Sequence, residues 1–290
     1  MTDRRASWWL KLLRVHDHLE QIEYELRRYS DSHPYGAVRT RQPDQDSRHW
    51  RFDLVVTVKP DPKLGVMLGD FFHNVRAPLD HIVSAHVPPS RRAGSSFPIR
   101  LEDPWEKDLT GGYVHPEKTR RSFDSAVNGL SGDAIAFLKE LQPYRRGPAN
   151  PDDPKAIYKD VLAIVNKLDN VDKHRELTTM LEGIENITTR VSIRGNDVSD
   201  RLRADGALLE TGGMVKAGTP VTMFITDDPD LPESEVQVDV SGTAVVAVYI
   251  EDFGLYYRMP VSLSESMDYV GDNVLLPFLT IYNEGPPLRP

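Results

Sequence analysis

The stretch LGDFFHNVRAPLDHIV, residues 68–83, gathers Asp70, His73, Asn74, Arg76, Asp80 and His81 within twelve positions of an otherwise apolar run. Imidazoles titrate near neutral pH and serve as acids, bases or ligands. Carboxylates supply general bases, and a guanidinium clamps phosphate oxygens with two parallel hydrogen bonds. On a helical wheel at about 100° per residue, Leu64, Leu68, Phe71, Phe72, Val75, Leu79, Ile82 and His86 fall within about 40° of one direction and form a core face. Asp70, Asn74 and His81, with Ala77 between them, make a stripe on the opposite side, and Asp80 and His73 lie between that stripe and Arg76. A plain wet face is usually rich in Lys and Glu, which favour helix. This one carries His, Asn and Asp instead, and the small Ala77 leaves room for another chain or a ligand.

A second constellation is NVDKHR, residues 170–175. Continuing the wheel from Ile157, Val161, Ile164 and Leu168 puts Asp172 and Arg175 on the buried face, where their spacing suits an ion pair. Burying such a pair requires further hydrogen bonds. His174 and Asn170 share another face, with Lys173 beside them. Two readings stand: a structural ion pair at a helix end, or a segment that faces 70–81 across a bundle so that Asp80, Asp172, Lys173, His174 and Arg175 complete one binding pocket.

The elements that must position these groups follow from periodicity. Trp8, Leu12, Val15, Leu19, Ile22 and Leu26 recur at helical spacing, which predicts a helix over 7–29. HWRFDLVVTVKP predicts a strand near 49–59. Asp61-Pro62 reads as a cap followed by proline at the first helical position, opening a helix that ends before Pro88-Pro89. Residues 90–117 read as loop with a short helix near Glu102–Leu109; Leu130–Leu141 and a segment starting at Asp153-Pro154 read as helices. Beyond about residue 185 short β-rich runs alternate with turn signals, until SLSESMDYVGDNVLLPFLTIY (262–282) returns to helical spacing. The expectation is an α+β protein: a helical domain over 1–183 with one short strand, then a β-rich domain over 184–290 with a terminal helix.

Composition narrows the classes. The chain has 290 residues, 39% hydrophobic and 27% charged, as in ordinary globular proteins. It has no run of the roughly 18 apolar residues that a membrane helix needs, and no secretory signal pattern. With no cysteine, thiolate metal sites and a Cys nucleophile are excluded, and the cytoplasm is the expected compartment. Net charge is −9, but residues 1–180 carry +2 and residues 181–290 carry −11, so a nucleic-acid contact would fall on the first part.

Arg76-Ala-Pro-Leu-Asp-His81 has R-x4-H spacing that resembles HEPN-domain proteins, helical dimers that include metal-independent ribonucleases. The resemblance covers residues 1 to about 180. It implies a homodimer acting on RNA or a nucleotide without metal or cofactor, with His81 as the acid/base at a ribose 2′-hydroxyl and Arg76 on the scissile phosphate. Asp70, His73 and Asn74 would complete the catalytic set. Ala77 departs from the polar residue that often follows the family's arginine. On an unbroken helix Arg76 and His81 point about 140° apart, so convergence needs a kink or restart at Pro78. The longer set L-G-D-x-x-H-N-x-R-x-x-L-D-H, F-P-I, L-Q-P-Y and D-K-H-R is similar to a group of bacterial proteins without an assigned activity.

Three functions therefore compete. One is a HEPN-like ribonuclease of toxin or defence type. The second is a non-catalytic binding or scaffold protein whose polar groups form a buried hydrogen-bond network at a dimer interface. The third is a metal-dependent hydrolase using Asp70, His73, His81 and His174.

Overall fold

The computed structural model of the chain describes residues 6–40, 47–146, 156–172, 179–211, 213–250, 255–259 and 261–285. It is α+β. Helix α1 (Ala6–Asp31) leads into strands β1 (Tyr35–Arg39) and β2 (His49–Val56) and then into α2 (Lys63–His86). The Asp61 carboxylate accepts the Lys63 N–H at 2.9 Å, as the Asp-Pro start predicts, and Val87 leaves the helix in an extended conformation. Leu64, Leu68, Phe71, Phe72, Val75, Leu79 and Ile82 are all buried, so the core face of α2 is the one its spacing marks. Pro78 sits inside this helix without ending it.

Short helices follow: α3 (Glu117–Ala126), α4 (Gly132–Glu140), α5 (Pro143–Arg146) and then the longer α6 (Val161–Asp172). The helix expected near Glu102–Leu109 is absent. Asp108 instead folds that segment into a turn, its carboxylate accepting the backbone N–H groups of Thr110 and Gly112, and Lys107 bridges to Tyr113. A side chain that offers backbone donors a local acceptor competes with helix formation.

The remaining elements are β3 (Thr179–Ile193), β4 (Asn196–Asp197), α7 (Ser199–Ala204), β5 (Pro220–Ile225), β6 (Val236–Ile250), β7 (Leu255–Arg258), α8 (Val261–Asp268) and α9 (Leu276–Ile281). A π-helical stretch, Tyr269–Leu275, joins α8 to α9. The terminal helix expected over 262–282 is thus one chain of turns with a widened centre, placed just before Pro277, whose ring and missing N–H a regular helix interior does not accommodate.

Two antiparallel sheets form, ordered β1-β2-β5 and β4-β3-β6-β7. The division expected at 183/184 falls inside β3, and the expected lone strand of the helical part pairs with β5, more than 160 residues away. The two cores exchange segments. Val248, Ile250, Tyr257 and Met259 of the β6–β7 hairpin and Phe278 of α9 pack into the helical core with α1, α2 and α6. Tyr35, Trp50, Phe52 and Leu54 of the first strands belong to the β core with Ile184, Val191 and Val221. Tyr35 ties the sheets directly: its hydroxyl donates to the Gly242 carbonyl at 2.6 Å and accepts the Gly242 N–H at 3.1 Å. A Cβ at position 242 would collide with Ile184 and the Glu185 carbonyl, so glycine is required at this crossing.

Tyr35→Phe is expected to cost about 1–3 kcal/mol, because both Gly242 backbone groups lose their partner. Chemical denaturation checks it; a stability unchanged from wild type would show that the hydroxyl does not join the sheets.

Candidate functional site

Helix α1 runs antiparallel along α2, with Ser7 beside His81 and Glu25 beside Lys63. Of the stripe formed by Asp70, Asn74, Ala77 and His81, Asp70 is exposed while Asn74 and His81 meet α1, so the room beside Ala77 is occupied by this chain's own first helix. Asn74 is 9% exposed. Its Oδ1 accepts from Lys11 Nζ at 3.4 Å, and its Nδ2 donates to the Asp70 carbonyl at 2.8 Å and lies 3.4 Å from His18 Nε2. An amide nitrogen can only donate, which makes His18 Nε2 the acceptor and His18 a neutral imidazole protonated at Nδ1. Burial, reinforced by Arg14, lowers the pKa of His18 in the same sense, against the opposing pull of Asp70 and Asp17. His81 Nδ1 lies 3.1 Å from Ser7 Oγ, and burial followed by the nearby Lys11 ammonium lowers its pKa too.

The other side of α2 meets α6. His73 Nδ1 is 3.1 Å from Asp169 Oδ1, the imidazole half exposed and the carboxylate 3% exposed. One turn earlier, Gly69 makes room for Asp172: a methyl group at position 69 would overlap the Asp172 carboxylate. Asp172, partly buried, therefore packs against α2 at this point. Lys173, His174 and Arg175 lie outside the described residues, and with them the expected Asp172–Arg175 pair and the shared pocket.

Arg76 and Asp80 form the tightest unit. Arg76 Nη2 donates to the Phe97 carbonyl at 2.7 Å, Asp80 Oδ1 accepts the Phe97 N–H at 2.8 Å, and Arg76 Nη1 sits 2.9 Å from Asp80 Oδ1. Two side chains one helical turn apart thus satisfy both backbone groups of Phe97, as a partner strand would, and hold its fully buried ring in the helical core. Because α2 passes unbroken through Pro78, Arg76 turns to the Phe97 segment and His81 to α1. The restart that would bring them together is not present.

The described members of the expected metal set, Asp70, His73 and His81, are dispersed as well. His73 addresses α6, His81 addresses α1, and Asp70 is exposed; among the described residues no group of three or more His, Asp or Glu side chains could hold an ion. Sequence reasoning missed Lys11, His18, Phe97 and Asp169. His18 had a signal, a histidine between Val15, Leu19 and Ile22 of an apolar stripe, and so had Asp169, a carboxylate directly after Leu168.

A cleft of about 1130 Å³ lies elsewhere, walled by α1, α6, the β6–β7 hairpin and α8, and none of residues 70–81 lines it. No family model, curated protein or solved structure matches this chain. Among the described residues no helix is long and apolar enough to cross a membrane.

The two lowered histidines fix a pH dependence. Above their ordinary value of 6.5 both are neutral, folded or unfolded. As pH falls through that value the unfolded chain takes up these protons first, so stability drops toward acid. Between about pH 7 and about pH 5, wild-type thermal midpoints are expected to fall more steeply than those of His18→Gln, which keeps an acceptor for Asn74 but does not titrate. Parallel slopes would contradict this.

Proposed function

We propose that the chain is a non-catalytic binding or scaffold protein in which the polar residues of α2 dock its neighbours. The observation that carries this reading is the commitment of Arg76. A phosphate clamp needs guanidinium donors facing a substrate, whereas this side chain is 12% exposed and already engaged by Phe97 and Asp80. His81, the second half of the R-x4-H pair, faces Ser7 on the opposite flank. Acid/base work on a 2′-hydroxyl requires both groups at one phosphodiester.

The reading calls neither for RNA at the helical part nor for a second copy of the chain, since α1 and α6 answer the stripe from within. A cytoplasmic setting fits the cysteine-free composition.

Single-stranded RNA incubated with the protein in EDTA is expected to stay intact, with wild type and His81→Ala indistinguishable. Arg76→Ala is expected to lose about 1–3 kcal/mol and several degrees of thermal midpoint. Cleavage that resists EDTA and disappears in His81→Ala would overturn the scaffold reading in favour of the HEPN-like one.

A further inference from the structure

His86 is the last residue of α2, and its side chain is only 6% exposed. Its Nδ1 lies 2.7 Å from the Ile82 carbonyl. A carbonyl can only accept, so Nδ1 carries a proton and donates it. In the neutral ring Nε2 is then a bare lone pair. That nitrogen is enclosed, has no hydrogen-bond partner, and faces Glu284 Oε2 at 3.4 Å. Two acceptors so placed repel, whereas an imidazolium and a carboxylate attract. The ring of Tyr282, its centre 4.3 Å from that of His86, also draws positive charge, and Phe278 closes the site edge-on at 5.3 Å. Among the described residues, Glu284 and Tyr282 are the titratable groups that face His86 from the C-terminal segment, and α2 itself contributes the Ile82 carbonyl.

Glu284 reaches this place through the way α9 ends. Asn283 adopts the left-handed conformation, φ 55°, which Asn tolerates better than most residues. Its N–H donates to the Thr280 carbonyl at 3.1 Å, and the Glu284 N–H reaches back to the Leu279 carbonyl at 3.0 Å. These are the two bonds of a Schellman turn. Tyr282 Oη accepts the Ser131 N–H at 3.2 Å, which ties the turn to the start of α4.

We propose that His86 and Glu284 form a pH-sensitive latch: the imidazolium holds the turn after α9 against the end of α2, and loss of its proton frees Asn283 and Glu284 while Phe278 and Leu279 stay in the core. Imidazoles change charge between about pH 5 and about pH 8, so the latch is shut at the acid end of that range and open at the alkaline end. The sign is opposite to that of His18 and His81. The inference goes beyond the scaffold reading and does not depend on it.

The test is amide hydrogen exchange of the full chain, followed by NMR and corrected for the intrinsic pH dependence of exchange. From about pH 5.5 to about pH 8 the protection of the Asn283 and Glu284 amides is expected to fall at least about 3-fold, as for loss of a partly buried ion pair. Amides in the middle of α2, such as Val75, are expected not to lose protection over that range. In Glu284→Gln, whose amide can donate to the neutral ring, the fall at Asn283 and position 284 is expected to disappear. Wild-type protection that holds or rises with pH, a loss shared by Val75, or the same fall in Glu284→Gln overturns the proposal. If the variant does not fold, the wild-type comparison of Asn283 and Glu284 with Val75 decides alone.

Discussion

A helix enclosed by its neighbours must find a partner for every polar atom it carries inward, because an unpaired buried donor or acceptor costs more than a made bond returns. Helix α2 lies under that constraint along its whole length. Phe71, Phe72, Val75 and Leu79 fill the core on one side, and on the others the inward polar side chains meet specific neighbours, while Asp70 lies exposed. Asn74 and His81 meet α1, His73 and the space over Gly69 meet α6, and Arg76 with Asp80 grips the backbone of Phe97. Apolar packing alone tolerates sliding; these contacts do not, since a shift of one residue would leave several charges and amides without partners. The helical core thus has one register.

The same economy explains how two compositionally different halves make one structure. The long antiparallel pair β3–β6 passes from one core to the other. Its first part alternates between β core and solvent, and Val245 to Val248 are then buried in succession as the strand enters the helical side. In return, Tyr35 and Trp50, which precede α2, are buried in the β core. Cutting near residue 183 would sever β3 and strip both cores of apolar surface.

Much of this was legible in residue spacing. The wheel of α2 identifies its buried face, and it puts Asp70, Asn74, Ala77 and His81 on one stripe, which α1 covers at Asn74 and His81 but not at the exposed Asp70. What spacing cannot name is the partner. Ser7 lies 74 positions from His81 and Asp169 lies 96 from His73, and no local periodicity records such pairings. Helix α3 escaped for the opposite reason: in EKTRRSFDSA only Phe123 and Ala126 are buried, too few to make a stripe. Arg76 and His81 show the hazard of reading a motif along a line. Five positions on an unbroken helix carry two side chains to different flanks, and Pro78 does not change that.

The clamp on Phe97 is the part of this account most open to direct measurement, through hydrogen exchange of the Phe97 amide followed by NMR. In wild type that amide should be protected well above the loop around it. In Asp80→Ala its protection should fall about 10- to 100-fold, while amides in the middle of α2, such as Phe71, keep theirs. A Phe97 amide that exchanges freely in wild type, or whose protection is indifferent to the loss of Asp80, would contradict the view that these polar side chains hold the fold in register.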